Sequence, residues 1–266
     1  MENITLPEPH RILKIMLETV AEHTFRVEWH GKKVQHGQFF MLSIPKVGEA
    51  PISVSAHGDG YVEFTIRKVG RLTGGLFGLH EGDVLFMRGP YGNYFPIDQF
   101  KNKHLVVIAG GTGLAAVRST IQYFYDHQDE ILDVYAMAGF KDMSAVLFKD
   151  DLAKFTAAEK FHTSWCLDNS EEPGFKKGFV TQYIPEVPFE TFGEDYNAII
   201  VGPPAMFKFA AQGCMDKGAT EEHIWVSFER KMACAVGKCG HCKINETYIC
   251  LEGPVFNYVE GKELID

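Results

Sequence analysis

Apolar and polar residues alternate along the first third of the chain and then stop alternating. Phe25, Val27 and Trp29 are separated by polar neighbours, and Val62, Phe64 and Ile66 are interleaved with Glu63, Thr65 and Arg67. A period of two predicts half-buried antiparallel strands from Arg11 to about Pro96. Turn signals at Gly31, Gly37, Gly58-Asp59-Gly60 and Glu81-Gly82-Asp83 punctuate them at short intervals, the rhythm of a small barrel or sandwich. Arg71 to His80 breaks this rhythm and is expected to be a short helix or loop.

After Lys101-Asn102-Lys103 the texture changes. Leu105-Val106-Val107-Ile108-Ala109 is a continuous apolar run, as a parallel strand buried on both faces requires. The pattern then predicts a helix from Ala115 to Tyr125, a strand from Val134 to Ala138, a helix from Ser144 to Phe155 and a strand from Thr163 to Leu167. A strand from Ala198 to Val201, a helix from Ala205 to Lys217 and a last strand from Ile224 to Phe228 complete it. Alternating strand and helix implies a doubly wound parallel sheet. The expected class is therefore α/β plus all-β. An antiparallel barrel should occupy residues 1–100, a doubly wound sheet 101–222 and a small cysteine-bearing segment 223–266. No internal repeat or low-complexity tract is visible.

Composition narrows the function. A chain of 266 residues exceeds the usual single core and fits two domains with an appendage. Its net charge of −9, without a block of like charge, argues against nucleic acid and against an anionic membrane surface. The segment Met1–His10 has neither a signal nor a transit peptide pattern, and nowhere do eighteen apolar residues run together. Six cysteines, four of them clustered, suit a reducing cytoplasm better than a disulfide framework. Cys166 and Cys214 lie in apolar surroundings and are expected to fill the core.

The other four cysteines carry chemistry. Cys234-x4-Cys239-x2-Cys242-x7-Cys250 matches the spacing with which a chain wraps a 2Fe-2S cluster in thiolates. Gly237 and Gly240 stand where the backbone must turn sharply and approach sulfide. Zinc is the alternative, although only Cys239 and Cys242 form a CxxC knuckle. His241 reads as an exposed loop histidine. Arg230, Lys231, Lys238 and Lys243 flank the cysteines, and either offset an anionic cluster, dock an acidic partner or are solvated cations.

Two glycine turns follow buried strands. Gly110-Gly111-Thr112-Gly113-Leu114-Ala115-Ala116 satisfies G-x-G-x-x-G/A through Gly111, Gly113 and Ala116, a pattern whose backbone N–H groups can face a pyrophosphate at a helix N-terminus. Gly202-Pro203-Pro204-Ala205-Met206 follows Val201 and starts a helix rigidly, leaving loop backbone free for a nicotinamide. Either turn alone could be a plain strand-to-helix connection. Ala138-Gly139-Phe140-Lys141 places no carboxylate at the end of the second strand, so NADH and NADPH stay open, with Lys141 a weak pointer to a 2′-phosphate.

With these motifs in barrel, nucleotide turn and cysteine order, the chain resembles the ferredoxin–NADP reductase superfamily along nearly its whole length. The resemblance implies that Pro51, Ile52, Ser53 and Val54 lie along a flavin isoalloxazine. It also implies that the turn Val69, Gly70, Thr73 and Gly74 meets the FAD pyrophosphate, and that Arg88-Gly89-Pro90-Tyr91-Gly92 closes the barrel. Many members carry an Arg immediately before the Pro-x-Ser segment. Ala50 stands there in this chain, so phosphate neutralisation would fall to Arg67, Arg71 or Arg88, and FMN remains an alternative to FAD.

Within the superfamily, Val47–Ser55, Ala198–Pro204 and Phe228–Tyr258 are most similar to the family of anaerobic sulfite reductase B subunits. That likeness implies NAD(P)H as donor, FAD as relay and Cys234, Cys239, Cys242 and Cys250 as ligands of a 2Fe-2S cluster. It further implies a ferredoxin-like subunit and a sirohaem sulfite reductase subunit as partners, with no catalytic side chain on this chain. The electron-transfer subunits of dihydroorotate dehydrogenase are similar but hold the last two cysteines further apart than the seven residues here. A reductase subunit of that enzyme or of a hydrogenase, and a non-enzymatic zinc-bearing adaptor, are the competing expectations.

Overall fold

The computed structural model describes residues 4–228 and 230–264. It divides into two compact units, one of Met1–Tyr94 with Glu229–Val255 and the other of Phe95–Phe228 with Phe256–Asp266. The C-terminal stretch is thus shared between the units.

The first unit is a closed antiparallel barrel. Its strands are β1 (Glu8–Leu17), β2 (Glu22–Glu28), β3 (Phe39–Ile44), β4 (Gly48–Gly58), β5 (Tyr61–Arg67) and β6 (Val84–Tyr91), in the order β1-β2-β5-β4-β3-β6 with β1 pairing back to β6. Alternation chose the inward face: Phe25, Val27, Phe40, Leu42, Val54, Val62, Phe64, Leu85 and Met87 pack together in its core. The short helix α1 (Arg71–Leu76) sits in the interruption that the sequence foresaw. Trp29 is only half-buried and lays its ring edge-on against Phe40.

The other face of β2, β5 and β4 is less exposed than its polar residues suggest. Glu22, Thr24, Ser55 and Glu63 are all buried. Arg26 pairs with Glu63 and Arg67 with Glu22, each at 2.6 Å, while the Thr24, Thr65 and Ser55 hydroxyls run in a hydrogen-bonded row between them. Burial of these carboxylates is tolerable because each has a cationic partner.

The second unit opens with α2 (Ile97–Phe100) and builds a parallel sheet from β7 (His104–Gly110), β8 (Asp133–Phe140), β9 (Phe161–Leu167), β10 (Lys176–Lys177), β11 (Tyr196–Val201) and β12 (Ile224–Ser227). Across the sheet these lie in the order β10-β9-β8-β7-β11-β12, that of a doubly wound fold reversing between β7 and β11. Residues Leu105–Ala109 and Ala198–Val201 are buried throughout, as unbroken apolar runs predict. Helices α3 (Gly113–Asp126) and α5 (Pro204–Asp216) follow β7 and β11.

One predicted helix differs. Instead of running from Ser144 to Phe155, the chain makes a single 3-10 turn at Met143–Ala145 and begins α4 only at Lys149–Ala157. Val146, Leu147 and Phe148 are needed in the core, and Phe148 takes a left-handed φ of 54° that lays its ring 4.4 Å from the Arg118 guanidinium carbon. Cys166 and Cys214 are fully buried, and burial pushes both thiols up to about 12, so they fill the core as expected.

Beyond β12 the chain forms a small hairpin, β13 (Lys243–Ile244) with β14 (Thr247–Tyr248), and a four-residue helix α6 (Ile249–Glu252). It then returns as β15 (Val255–Asn257) on the outer edge of β12 and ends in α7 (Tyr258–Gly261). Among the described residues no helix is long and apolar enough to cross a membrane.

Candidate functional site

In the second unit the two glycine turns meet at the point where strand order reverses, the place where doubly wound sheets bind ligands. Gly111 takes a φ of +54° and donates its N–H to the Gly139 carbonyl at 2.8 Å, which ends β7 and points the chain into α3. A Cβ on Gly113 would lie 2.7 Å from the Val201 carbonyl oxygen, so α3 can start this close to β11 only with glycine. Gly110 and Gly202 are packed against Met206 in the same way, at 2.8 and 2.6 Å from a hypothetical Cβ. Pro203 precedes α5 as its cap and Pro204 is its first residue. Gly110, Gly111, Thr112, Gly113, Gly202, Pro203, Pro204 and Met206 are thereby brought into one patch, at the C-terminal end of β7 and β11. Lys141 is exposed just past β8, and the neighbouring Asp142 caps the 3-10 turn by accepting from the Ser144 N–H at 2.9 Å.

In the first unit, Pro51, Ile52 and Ser53 are partly exposed on β4, opposite Met41, Phe40 and Phe39 of β3. Val54 is different, because it is fully buried in the barrel core and has only its backbone to offer a ligand. Val69 and Gly70 are exposed at the start of α1, where the Thr73 hydroxyl accepts both of their N–H groups at 3.0 and 2.9 Å. A Cβ on Gly70 or Gly74 would meet nothing within 4 Å, and neither has a positive φ. The chain's own packing therefore does not call for glycine at these two positions.

The three candidate arginines separate. Arg67 spends its Nε on Glu22 at 2.6 Å but keeps half of its side chain exposed. Arg71 is exposed, with one contact to the Lys46 carbonyl at 3.4 Å. Arg88 is buried, and its five N–H donors are all engaged. They go to the two Glu49 carboxylate oxygens (2.8 and 2.6 Å), the Tyr91 hydroxyl (3.3 Å) and the backbone carbonyls of Ala233 (3.0 Å) and Cys234 (2.8 Å). The bond to Glu49 raises its pKa further above the usual range. No donor remains for a phosphate, so of the three, Arg88 is the one the structure removes from that role. What it does instead, gripping the cysteine loop, was not visible in the sequence.

That loop brings backbone donors to sulfur. The Val236 and Lys238 N–H groups point to Cys234 Sγ at 3.4 and 3.3 Å, and that of Gly237 points to Cys250 Sγ at 3.3 Å. Gly237 and Gly240 have left-handed φ values of 68° and 79°, and a Cβ on Gly237 would collide with Leu251. The seven residues between Cys242 and Cys250 make the β13–β14 hairpin. Cys242 and Cys250 are buried, Cys234 is half-buried and Cys239 is exposed. N–H bonds from His241 and then Cys234 draw the Cys239 thiol down to about 7, whereas burial and a bond with Cys242 push Cys250 up to about 12. Among the described residues no three His, Cys, Asp or Glu side chains converge on a single ion's position. The donor set nonetheless suits a cluster: four free thiols, with N–H groups aimed at two of the sulfurs, as iron–sulfur ligation uses them. Of the flanking cations, Lys243 is paired with Glu246 at 2.8 Å, while Lys231 and Lys238 are exposed.

Two parts of the chain match models of known protein families. Residues 107–212 match the oxidoreductase NAD-binding domain, and residues 229–260 match the iron-sulfur cluster binding domain of dihydroorotate dehydrogenase B. The second match favours iron–sulfur over zinc at the four cysteines. The chain is 33% identical to the sulfhydrogenase 2 gamma subunit of Pyrococcus furiosus over 93% of each chain. It is 32% identical to a probable electron-transfer subunit of dihydroorotate dehydrogenase B from Methanocaldococcus jannaschii, over 92% of this chain and 88% of that one. Among solved structures, a chain of the NADH-dependent reduced ferredoxin–NADP oxidoreductase superposes with a TM-score of 0.76 at 21% identity, covering 96% of this chain and 92% of that one. A ferredoxin NADP+ reductase from Neisseria gonorrhoeae, solved with FAD and NADP, superposes with a TM-score of 0.71 at 19% identity, covering 83% and 97%. The family matches, the glycine turns and the cysteine loop make one conclusion: this chain belongs to the family of the sulfhydrogenase gamma and dihydroorotate dehydrogenase B electron-transfer subunits.

Proposed function

We propose that this chain is the NAD(P)H-oxidising electron-transfer subunit of a larger reductase, using FAD and a 2Fe-2S cluster held by Cys234, Cys239, Cys242 and Cys250. The carrying observation is the cysteine loop itself, with N–H groups aimed at Cys234 and Cys250, on a chain that also places two glycine turns at a sheet's reversal point. A nicotinamide gives up two electrons together and such a cluster accepts one at a time, so a flavin supplies the conversion between them. The chain's own residues bind and orient. Gly110–Gly113 and Gly202–Met206 would seat the nucleotide, Pro51–Val54 would line the flavin, and Val69, Gly70, Thr73 and Gly74 would take its pyrophosphate. Space for a phosphate at Gly70 and Gly74, with Arg67 and Arg71 near solvent, supports the last assignment. Six free cysteines support a reducing cytoplasm as the compartment.

For the partner we propose a sirohaem sulfite reductase reached through a ferredoxin-like subunit. The stretches Val47–Ser55 and Phe228–Tyr258, and the seven-residue hairpin before Cys250, support this choice. A hydrogenase partner is the second reading, favoured by 33% and 34% identity to two sulfhydrogenase gamma subunits. Anaerobic purification with native partners tests both. One flavin and two irons per chain, with bleaching by NADH or NADPH and co-purifying sirohaem, is the expected outcome. Nickel in place of sirohaem selects the second reading, and failure of both nucleotides to bleach the flavin refutes the electron flow proposed.

A further inference from the structure

The cysteine loop has little architecture of its own, since its hairpin strands are two residues each and its helix four. Its two ends are nevertheless fixed, and both are fixed to the end of β6. At the entry, Arg88 donates to the Ala233 and Cys234 carbonyls. At the exit, the Asn93 N–H donates to the Gly253 carbonyl at 2.5 Å, and the Asn93 side-chain amide reaches the Val255 carbonyl at 3.4 Å. Gly92 lets the loop come this near, because a Cβ there would lie 2.6 Å from the Gly253 oxygen.

The entry tie differs chemically from the exit tie. It is a charged, planar fork, 7% exposed, whose far side is clamped bidentately by Glu49. Glu49 stands on β4, two residues before Pro51, so a single guanidinium joins that strand to the carbonyl of a ligand cysteine. We propose that Arg88, locked by Glu49, is the positioning residue of the cysteine loop: it holds the Cys234 limb in place and its buried positive charge sets the potential of the cluster. The proposal rests on the iron–sulfur reading of the four cysteines. A cation fixed beside the loop favours the more negative, reduced cluster, and removing it lowers the potential. Glu49 opposes that effect while it supplies the clamp, so its neutralisation raises the potential.

The test uses the full chain purified anaerobically with its partners, comparing wild type with R88K, R88M and E49Q. Iron, sulfide and flavin are counted, the EPR spectrum of the reduced cluster is recorded, and its potential is titrated. R88K keeps the charge but loses the fork, and is expected to lose at least half of its iron on incubation with a chelator while flavin stays stoichiometric. R88M is expected to lose iron similarly, and the fraction that keeps it to show a tenfold lower reduced-to-oxidised ratio at fixed potential, which is 59 mV for one electron. E49Q leaves the carbonyl bonds in place and guards against misfolding of the arginine variants; its cluster is expected to be retained with an altered EPR spectrum and a higher potential. Stoichiometric iron with unchanged spectrum and potential in R88M and E49Q would overturn the proposal. Wild-type protein containing zinc and no iron would instead overturn the cluster reading beneath it, so the two failures are distinguishable.

Discussion

Adding one methyl group at Gly113 should damage the nucleotide turn more than adding one at Gly111, although Gly111 is the residue with unusual backbone. At Gly111 the cost is conformational. Its φ is +54° but a Cβ would meet nothing within 4 Å, so alanine pays about 1–2 kcal/mol for the left-handed backbone and displaces nothing. At Gly113 the cost is steric and structural. The new Cβ would stand 2.7 and 2.9 Å from the Val201 oxygen and carbon and 3.1 Å from Gly202 Cα, where ordinary contacts lie at 3.4–4 Å. All three atoms are backbone of the facing turn, so no side chain can swing aside. The start of α3 must move off the end of β11 by several tenths of an ångström, at a cost of about 1–3 kcal/mol.

The assay follows from where the tryptophans lie. Trp165 and Trp225 belong to the second unit and Trp29 alone to the first, so denaturation followed by tryptophan fluorescence reports mainly on the sheet. G113A should lower its stability by about 1–3 kcal/mol and raise the KM for the nicotinamide nucleotide, because both turns form one surface. G111A should lose about 1–2 kcal/mol and change KM less. If G113A stays within about 0.5 kcal/mol of the parent with an unchanged KM, the close approach of α3 to β11 does not govern the site.

Three further outcomes are expected. Phe64→Ala, at a fully buried position in the barrel core, should cost about 3–5 kcal/mol in denaturant unfolding of the first unit, and a loss below about 1 kcal/mol would mean that the barrel collapses around the cavity. Acid should weaken the barrel: burial lowers the pKa of His10, His23 and His57, so the stability of their neutral forms is fully present above about pH 6.5 and is lost as pH falls through their lowered folded values. Denaturant midpoints should therefore drop between pH 7.5 and 5.5, less steeply in H57Q; a parallel slope in that variant would remove His57 from the explanation. Arg118→Ala breaks a 2.7 Å pair with the largely buried Asp151 and uncovers Phe148, and should destabilise the second unit by roughly 3 kcal/mol, with a change under 0.5 kcal/mol counting against the pair.

The periodicities announced both folds because each period has one physical cause. Phe25, Val27, Val62 and Phe64 alternate since one face of each barrel strand packs inward, and Leu105–Ala109 runs unbroken since both faces of β7 are covered. The pattern failed where side chains were wanted in a core despite a helical rhythm. Val146, Leu147 and Phe148 lie inside the span expected to be helical, yet all three are buried, with Val146 extended and Phe148 left-handed, and α4 starts only at Lys149. Alternation also suggested solvent on the polar side of β2 and β5, whereas Glu22 and Glu63 are sealed there by Arg67 and Arg26. A pairing between strands leaves no local trace in either one.

The site divides along the same line. Glycine turns and cysteine spacing are local, because a left-handed φ or a ligand set needs particular residue types within a few positions, so both stood out in the sequence. The support of the loop is not local: Glu49 lies 39 positions before Arg88, and Cys234 lies 146 after it. Nothing in Arg88-Gly89-Pro90 distinguishes a residue that grips a distant carbonyl from one that faces a phosphate. The burial does. A buried guanidinium is costly unless its donors are satisfied and its charge matched. With Glu49 neutralising it and every N–H used, Arg88 meets both conditions only while the cysteine loop is in place. The loop, with two-residue strands and a four-residue helix, brings little order of its own to the four thiols, and the ties from Arg88 and Asn93 join both of its ends to the end of β6.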